Sequence, residues 1–581
     1  MKPILATLAL AALTVSIPAV AKPDPRLAGL IDRYSTWVME NEPYARMSAG
    51  QNINRLPTIA PEAVRKGAVY AQRLETELSR IPADKLSLDD QISHAILSLM
   101  LERQSAAPQI NACSFGVTPF DTVLQYARDG LEGFAVNTPA DADLYTNLVA
   151  ALPAYINQMQ ANLARNAAGG MTMPKAYIAY TAQPYAEIAR DGQASPFALA
   201  PDRLAKLPKA KAAEVTRAVN QIISAKVNPA LNALSAYISG PYVAKAPDAI
   251  GMGQTAACAE VYKKLVRFET TTDMTPDAIH VLGLAQVAQI KTEMAVIQKQ
   301  IGFTGTPQEF WAHLKIRPEL KAKSKAEIAA NMQKYADLIQ SRLPRMFEGT
   351  IKSKGVARPI SEDREAGETF GNYYLPTATE PNGVYFFNGA GELKGITITH
   401  EGLIAHELYP GHHYQSMLVV ENTALSAFRK SYMPSAYSEG WAEYAGRVVA
   451  KELGALTDPY NRYGSLSDEL FLATRLVVDT GMNAKGWPLA KARAYMKENT
   501  FKTDDQIATE SLRYGAAIPA QALGYRIGHI TILNLRRKLE AEMGAKFDIK
   551  RFHGAMLSHG ALPMFMLEKV ARYELLKKPQ K

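Results

Sequence analysis

Apolar residues along most of this chain return at three- and four-residue steps, in stretches long enough to be helices and separated by turns marked with Pro and Gly. That periodicity constrains the fold more than any other feature, because a stripe suited to a helical turn of about 3.6 residues does not match the alternating faces of a strand. The spacing predicts helices over Pro61–Arg80, Leu86–Leu101, Ala142–Leu163, Leu204–Ile238, Pro276–Ile301 and Ser324–Arg342, the last with Ser324 as its N-cap. Strand signals are few. Lys175–Tyr180 is a weak one. Gly383–Asn388 (GVYFFN) is stronger, set between Asn-Gly and Gly-Ala-Gly turns. Ile396–Thr399 reads as a short strand or as an extended entry to the next helix. No repeat or low-complexity linker divides the chain, so the expected fold is mainly α. It is one large helical domain over 22–581, with two helical halves around an interior cleft and a small β element beside the histidine-rich helix.

The N-terminus reads MKPILATLALAALTVSIPAVA. Lys2, the apolar run Ile4–Val20 broken at Pro18, and the small-x-small end Ala19-Val20-Ala21 are the pattern of a secretory signal peptide over residues 1–21. Cleavage is expected after Ala21, with export to the periplasm or beyond. An uncleaved anchor fits less well, because the run is short for a bilayer span and ends at a cleavage site. Lys22, not Cys, follows that site, and no later stretch is long and apolar enough to cross a membrane, so no stable membrane anchor is expected. An oxidising compartment leaves Cys113 and Cys258, the two cysteines of the chain, either as one disulfide or as two buried thiols. The net charge of +9 is spread along the sequence without a dense basic run beside aromatics, which excludes an obvious nucleic-acid partner.

Four of the ten histidines, His400, His406, His412 and His413, fall within fourteen residues, in THEGLIAHELYPGHHYQ. Zinc takes nitrogen and oxygen ligands, and a catalytic site keeps one position open. The usual helical arrangement is His-Glu-x-x-His, with the Glu as general base. Here His406-Glu407 is followed four residues on by Pro410. In an unbroken helix His413 would face like His406 but lie about 10 Å away, and His412 would point about 120° off. Pro410 and Gly411 break that regularity. A bulge at this point would bring His412 to the metal, with His413 as the competing choice. The third ligand is assigned to Glu439 in Ser438-Glu439-Gly440-Trp441-Ala442-Glu443, and Glu443, four residues on, becomes an outer acceptor that fixes a ligand imidazole. One zinc ion is the expected cofactor. His553 and His559 read as cleft lining or surface, and His529 as a core histidine.

The segments HELYPGHHYQ, SEGWAEYAGR, RLVVDTGMNAKGW, TESLRYGAAIPAQALGYRIGH and FHGAMLSHGALPMFMLE together resemble the bacterial family known as domain of unknown function 885, a group similar to zinc metallopeptidases of the gluzincin type. The resemblance runs over most of the chain and is strongest from about Gly383 onward. It implies a mostly helical fold around a cleft and hydrolysis of peptides or related amides. Glu407 would then act as general base, with Tyr514 or Tyr525 donating to the developing oxyanion and Arg513 gripping a substrate carboxylate, as in a carboxypeptidase or dipeptidase. Tyr385 and Asn388 would bind substrate along an edge strand. Asn483 departs from the family pattern, which carries His there, so no cationic role is available at that position. Two other functions use the same residues: an amidohydrolase acting on a non-peptide amide, and a catalytically silent binding protein. The presence of Glu407 weighs against the second.

Overall fold

The computed structural model describes residues 23–118, 123–362, 365, 371–377 and 380–576. The expected signal segment lies outside them. Helices dominate, and most follow the periodicity. Helices Pro61–Leu78, Leu88–Ser105, Pro139–Ala168, Pro276–Ile301 and Lys325–Arg342 stand where apolar stripes and caps place them. Ser324 Oγ accepts from Glu327 N at 3.1 Å, so this cap forms as expected. The Pro276–Ile301 helix starts under a Thr275 cap and stops at Gly302, whose φ of 85° lies in the region glycine tolerates. The long segment expected from Leu204 is instead Lys209–Ile222, a π-turn at Ile223–Val227 and Asn228–Tyr237.

Lys175–Tyr180 is not a strand. It opens a helix, Lys175–Ile188, that packs on the Asn228–Tyr237 helix and buries Tyr177, Ile178 and Tyr185. Burial among helices overrides the local β preference of this aromatic stretch. Ile396–Thr399 is not a strand either, because Thr397–Thr399 forms a single tight turn leading into the next helix.

The β element is one three-stranded sheet in the order β1-β3-β2. β1 (Gly355–Pro359) runs parallel to β3 (Gly383–Phe387), and β2 (Asn372–Tyr374) runs antiparallel to it. Tyr385 pairs with Ala357 on one side and Tyr373 on the other. The strand that carries Tyr385 is therefore central, and its backbone cannot take up a substrate by strand addition. Tyr385 reaches the cleft by its side chain alone.

Two large cores and a smaller one organise the helices. One core gathers residues from Ile53 to Ile279 and from Phe471 to Ile527, and the other joins Leu27–Leu101 to residues from Ile328 to Leu575. The helix Pro459–Ala484 contributes to the first large core through Phe471, Leu476, Val478 and Met482, and to the third through Tyr463, Leu466, Leu470 and Ala473. Cys113 and Cys258, which open onto the first core, are joined as a disulfide. No helix among the described residues is long and apolar enough to cross a membrane.

Candidate metal centre

The His400–Glu407 helix ends at the residue after His406, and a new helix, His412–Val420, starts at His412. The chain between them does not bulge within one helix; it breaks. Gly411 N donates to Ala405 O at 3.1 Å and Tyr414 N to Leu408 O at 3.2 Å, each closing a six-residue loop where a helix would close four. Two extra residues are thus looped out, which converts the six-residue spacing into the effective spacing of His-Glu-x-x-His. The Tyr409–Pro410 peptide is cis. Trp441 Nε1 donates to Pro410 O at 3.0 Å, and Tyr409 Oη accepts from Gly355 N at 2.7 Å, so the loop is pinned from both flanks. Gly411 is required by close approach, since a Cβ there would collide with the His406 carbonyl and lie 2.7 Å from Ala405 O.

The result brings His406 and His412 together, ring centroids 4.6 Å apart and nearly perpendicular. Glu439 arrives from the Ser435–Tyr444 helix, its Oε2 3.6 Å from His406 Nε2 and 3.3 Å from His412 Nε2. One ligand atom from each of the three lies within 4.8 Å of the others, a grouping able to hold a metal ion. The helix reaches this place because Gly440 and Gly528 let it cross the Leu523–Met543 helix at backbone contact, where a Cβ on Gly440 would come within 2.6 Å of Gly528 C.

His413 is occupied elsewhere. Its Nδ1 lies 2.8 Å from Tyr373 Oη and its Nε2 3.2 Å from Ser353 O, and burial drops its pKa to about 4. The choice between the adjacent histidines therefore falls on His412. The other histidines also stand apart. His400 Nε2 lies 3.1 Å from Glu392. His529 is a buried core residue beside Arg526. His553 is not a surface residue: it is fully buried, 2.9 Å from Tyr444 Oη and 3.0 Å from Met346 O. His559 bridges Asp89 and Glu574.

Behind the candidate ligands runs a chain of buried charges. Glu443 Oε1 lies 2.8 Å from His406 Nδ1, an ion-pair distance, though too far out of line to count as a regular hydrogen bond. Arg447, four residues on, donates from Nε to the other Glu443 oxygen at 3.2 Å and from Nη1 to Ser465 Oγ at 3.2 Å, and its Nη2 lies 3.8 Å from Asp468. Burial opposes a charge on His406, yet Glu443, Glu439 and Glu407 outweigh it and push the pKa up to about 10. Burial also opposes charge on Glu439 and Glu443, but the histidines and Arg447 hold both well below the usual carboxylate range. Four carboxylates, those of Glu407, Glu439, Glu443 and Asp468, stand against one buried guanidinium here, an excess of negative charge that a divalent cation would offset. The donor set of two imidazoles and one carboxylate suits zinc.

These groups line a cavity of about 940 Å³ that also takes in Glu407, Tyr385, Asn388, Arg513 and Tyr525. Burial raises the Glu407 carboxyl, partly offset by His406 and His412. Tyr525 projects from the helix that crosses at Gly440 and Gly528, and burial with Glu439 nearby lifts its pKa to about 12, so it stays a proton donor. Asn388 lines the cavity while capping the Gly389–Lys394 helix, accepting from Gly391 N at 2.8 Å. Arg513 donates to Glu510 at 3.4 Å and to Gln521 at 2.7 Å. Tyr514 is not in the cavity wall. It is fully buried behind it, its hydroxyl taken by Glu510 and by Arg475 Nε. The π-turn Arg513–Ala517 shifts the helical phase there, so neighbouring side chains do not follow the expected facing. Asn483 is likewise buried scaffold, bonded to Met252 N, Asp479 O and Tyr514 O.

Arg447, Ser465, Asp468 and Arg475 were not singled out by the sequence. The i, i+4 pair Glu443–Arg447 was a signal for one of them. The others sit on a helix buried almost all round, where polar residues leave no periodic trace.

Among solved structures, the chain is similar to "the putative lipoprotein from Colwellia psychrerythraea" (TM-score 0.86, 23% identity, covering 95% of this chain and 99% of that one). It is also similar to "a putative lipoprotein of unknown function from Shewanella oneidensis" (TM-score 0.74, 17% identity, 95% and 100% covered). Both are likenesses of fold. No curated protein matches the chain. The family model described as "Bacterial protein of unknown function (DUF885)" matches residues 43–570, nearly the whole sequence, and the chain belongs to that family.

Proposed function

We propose that this protein is an exported zinc-dependent peptidase, akin to gluzincin-type enzymes, that hydrolyses short peptides. The observation that carries the reading is the convergence of His406, His412 and Glu439 within 4.8 Å at a cavity whose wall also presents Glu407. When bound there, zinc supplies Lewis acidity for attack on an amide carbonyl. Glu407, beside the first ligand, takes the proton of the attacking water and returns it to the leaving nitrogen, a task suited to a carboxyl raised by burial. Tyr525 donates a hydrogen bond to the carbonyl oxygen as it gains charge. Glu443, held by Arg447 and 2.8 Å from His406 Nδ1, would orient that ring and leave Nε2 as the atom to take a metal. Export rests on the signal-like residues 1–21 and agrees with the lipoprotein description of the structural relatives.

The test is zinc content and cleavage of a short-peptide panel, on the mature chain and on Glu407→Gln. The expected result is about one zinc per chain in both and cleavage in the unsubstituted protein alone. Zinc without cleavage of any peptide would overturn the peptidase reading.

A further inference from the structure

Along the 459–484 helix, Asp468, Phe471 and Arg475 follow at steps of three and four and so share a face, and that face lines the cavity. Asp468 is linked to His406 through Arg447 and Glu443. Arg475 lies two turns further on, about 10 Å along the axis. Arg475 is 6% exposed, its guanidinium walled by the Phe471 ring at 4.3 Å and the Tyr525 ring at 5.1 Å. Nε donates to Tyr514 Oη at 2.6 Å and Nη2 to Glu510 Oε2 at 3.0 Å. Nη1 takes no partner among the described residues. Arg513 uses the other oxygen of the same Glu510. One carboxylate thus serves two guanidinium groups at this end of the cavity. A guanidinium with a spare donor in a cavity wall is placed to take an anion.

We propose that Arg475, with Arg513 beside it, is an anion-binding pole that takes a substrate carboxylate and makes this protein selective for peptides ending close to the cleaved bond; this rests on the peptidase reading above. The sequence pointed to Arg513 alone, but Arg513 also bonds Gln521, and Arg475 holds the unengaged nitrogen. Arg475 and the candidate metal ligands line one cavity, so the carboxylate is the C-terminal one of a short product.

Calorimetric binding to the full chain carrying Glu407→Gln tests this without turnover. Three probes are compared: N-acetyl-Ala-Phe as free acid, the same as C-terminal amide, and N-acetyl-Ala-Glu amide. The free acid is expected to bind at least about tenfold tighter than either amide. Arg475→Gln should abolish that preference and Arg475→Lys should weaken it, because lysine lacks the planar fork. If the Arg475 variants fail to fold, the acid-to-amide ratio in the parent and in Arg513→Gln decides. Equal binding of all three probes would overturn the pole. A glutamyl amide that binds like the free acid would overturn the C-terminal assignment and place a side-chain carboxylate there instead. The peptidase reading fails separately: acid preference with no cleavage by the unsubstituted chain removes that reading and keeps the pole, whereas equal cleavage of acid and amide removes the pole and keeps the peptidase.

Discussion

Replacing Gly411 by alanine would test whether the looped-out segment sets the distance between the two histidines. An added Cβ would overlap the His406 carbonyl and sit 2.7 Å from Ala405 O, where real Cβ contacts stay beyond 3.0 Å. Both obstacles are backbone, so neither can swing aside. Clearing them moves the loop by on the order of 1 Å, against a tolerance of about 0.2 Å in ligand positions. Overpacking of this kind costs about 1–3 kcal/mol, and a fixed backbone places the cost at the upper end. Zinc affinity should fall at least as far as on loss of an outer partner, about 10- to 100-fold. Gly554→Ala is the control, because its Cβ would meet nothing within 4 Å on a helix. It should be neutral or stabilising by about 0.5–1 kcal/mol. Thermal midpoints and competition with a chelator read both quantities. A Gly411→Ala protein with the parent's midpoint and zinc affinity would refute the argument.

Glu443→Gln should weaken zinc about 10- to 100-fold and, by leaving Arg447 short of its buried partner, destabilise the fold by about 3–5 kcal/mol; chelator competition and urea unfolding measure the two, and unchanged values would remove Glu443 from the site. Burial raises the Asp479 carboxyl from 3.8 to about 7 despite hydrogen bonds from Tyr262, Ala520 and Asn483. A raised carboxyl pKa favours the protonated form in the folded state, so its contribution is complete below the unfolded value and is lost as pH rises through about 7, by at most about 4 kcal/mol. Asp479→Asn should therefore flatten unfolding free energy between pH 4 and 7, and a slope identical to the parent's would contradict this. Reduction of Cys113–Cys258, 145 residues apart, should lower stability by about 2–5 kcal/mol, visible as a drop in thermal midpoint with reductant.

The sequence made the helical architecture readable wherever caps and stripes agreed, as at Pro276–Ile301. It misled at Lys175–Tyr180, where local aromatic content suggested a strand and helical neighbours decided otherwise. The candidate ligands could be narrowed but not chosen from the sequence, because His412 and His413 differ only in how the Leu408–Gly411 loop folds. That loop depends on Trp441 and Gly355, both distant in sequence. Tyr514 and Tyr525 illustrate the same limit. Both lie in one motif, yet a π-turn and a helix crossing put one behind the wall and the other in it. Arg475 was invisible because a helix buried on nearly every side shows no polar face.

The central claim is that His406, His412 and Glu439 hold one metal ion. Zinc stoichiometry of the purified chain, compared with His412→Ala and His413→Asn, tests it most directly. The expected result is about one zinc per chain in the parent and in His413→Asn, with zinc lost in His412→Ala. Retention of zinc by His412→Ala, or no zinc in the parent after reconstitution, would contradict it.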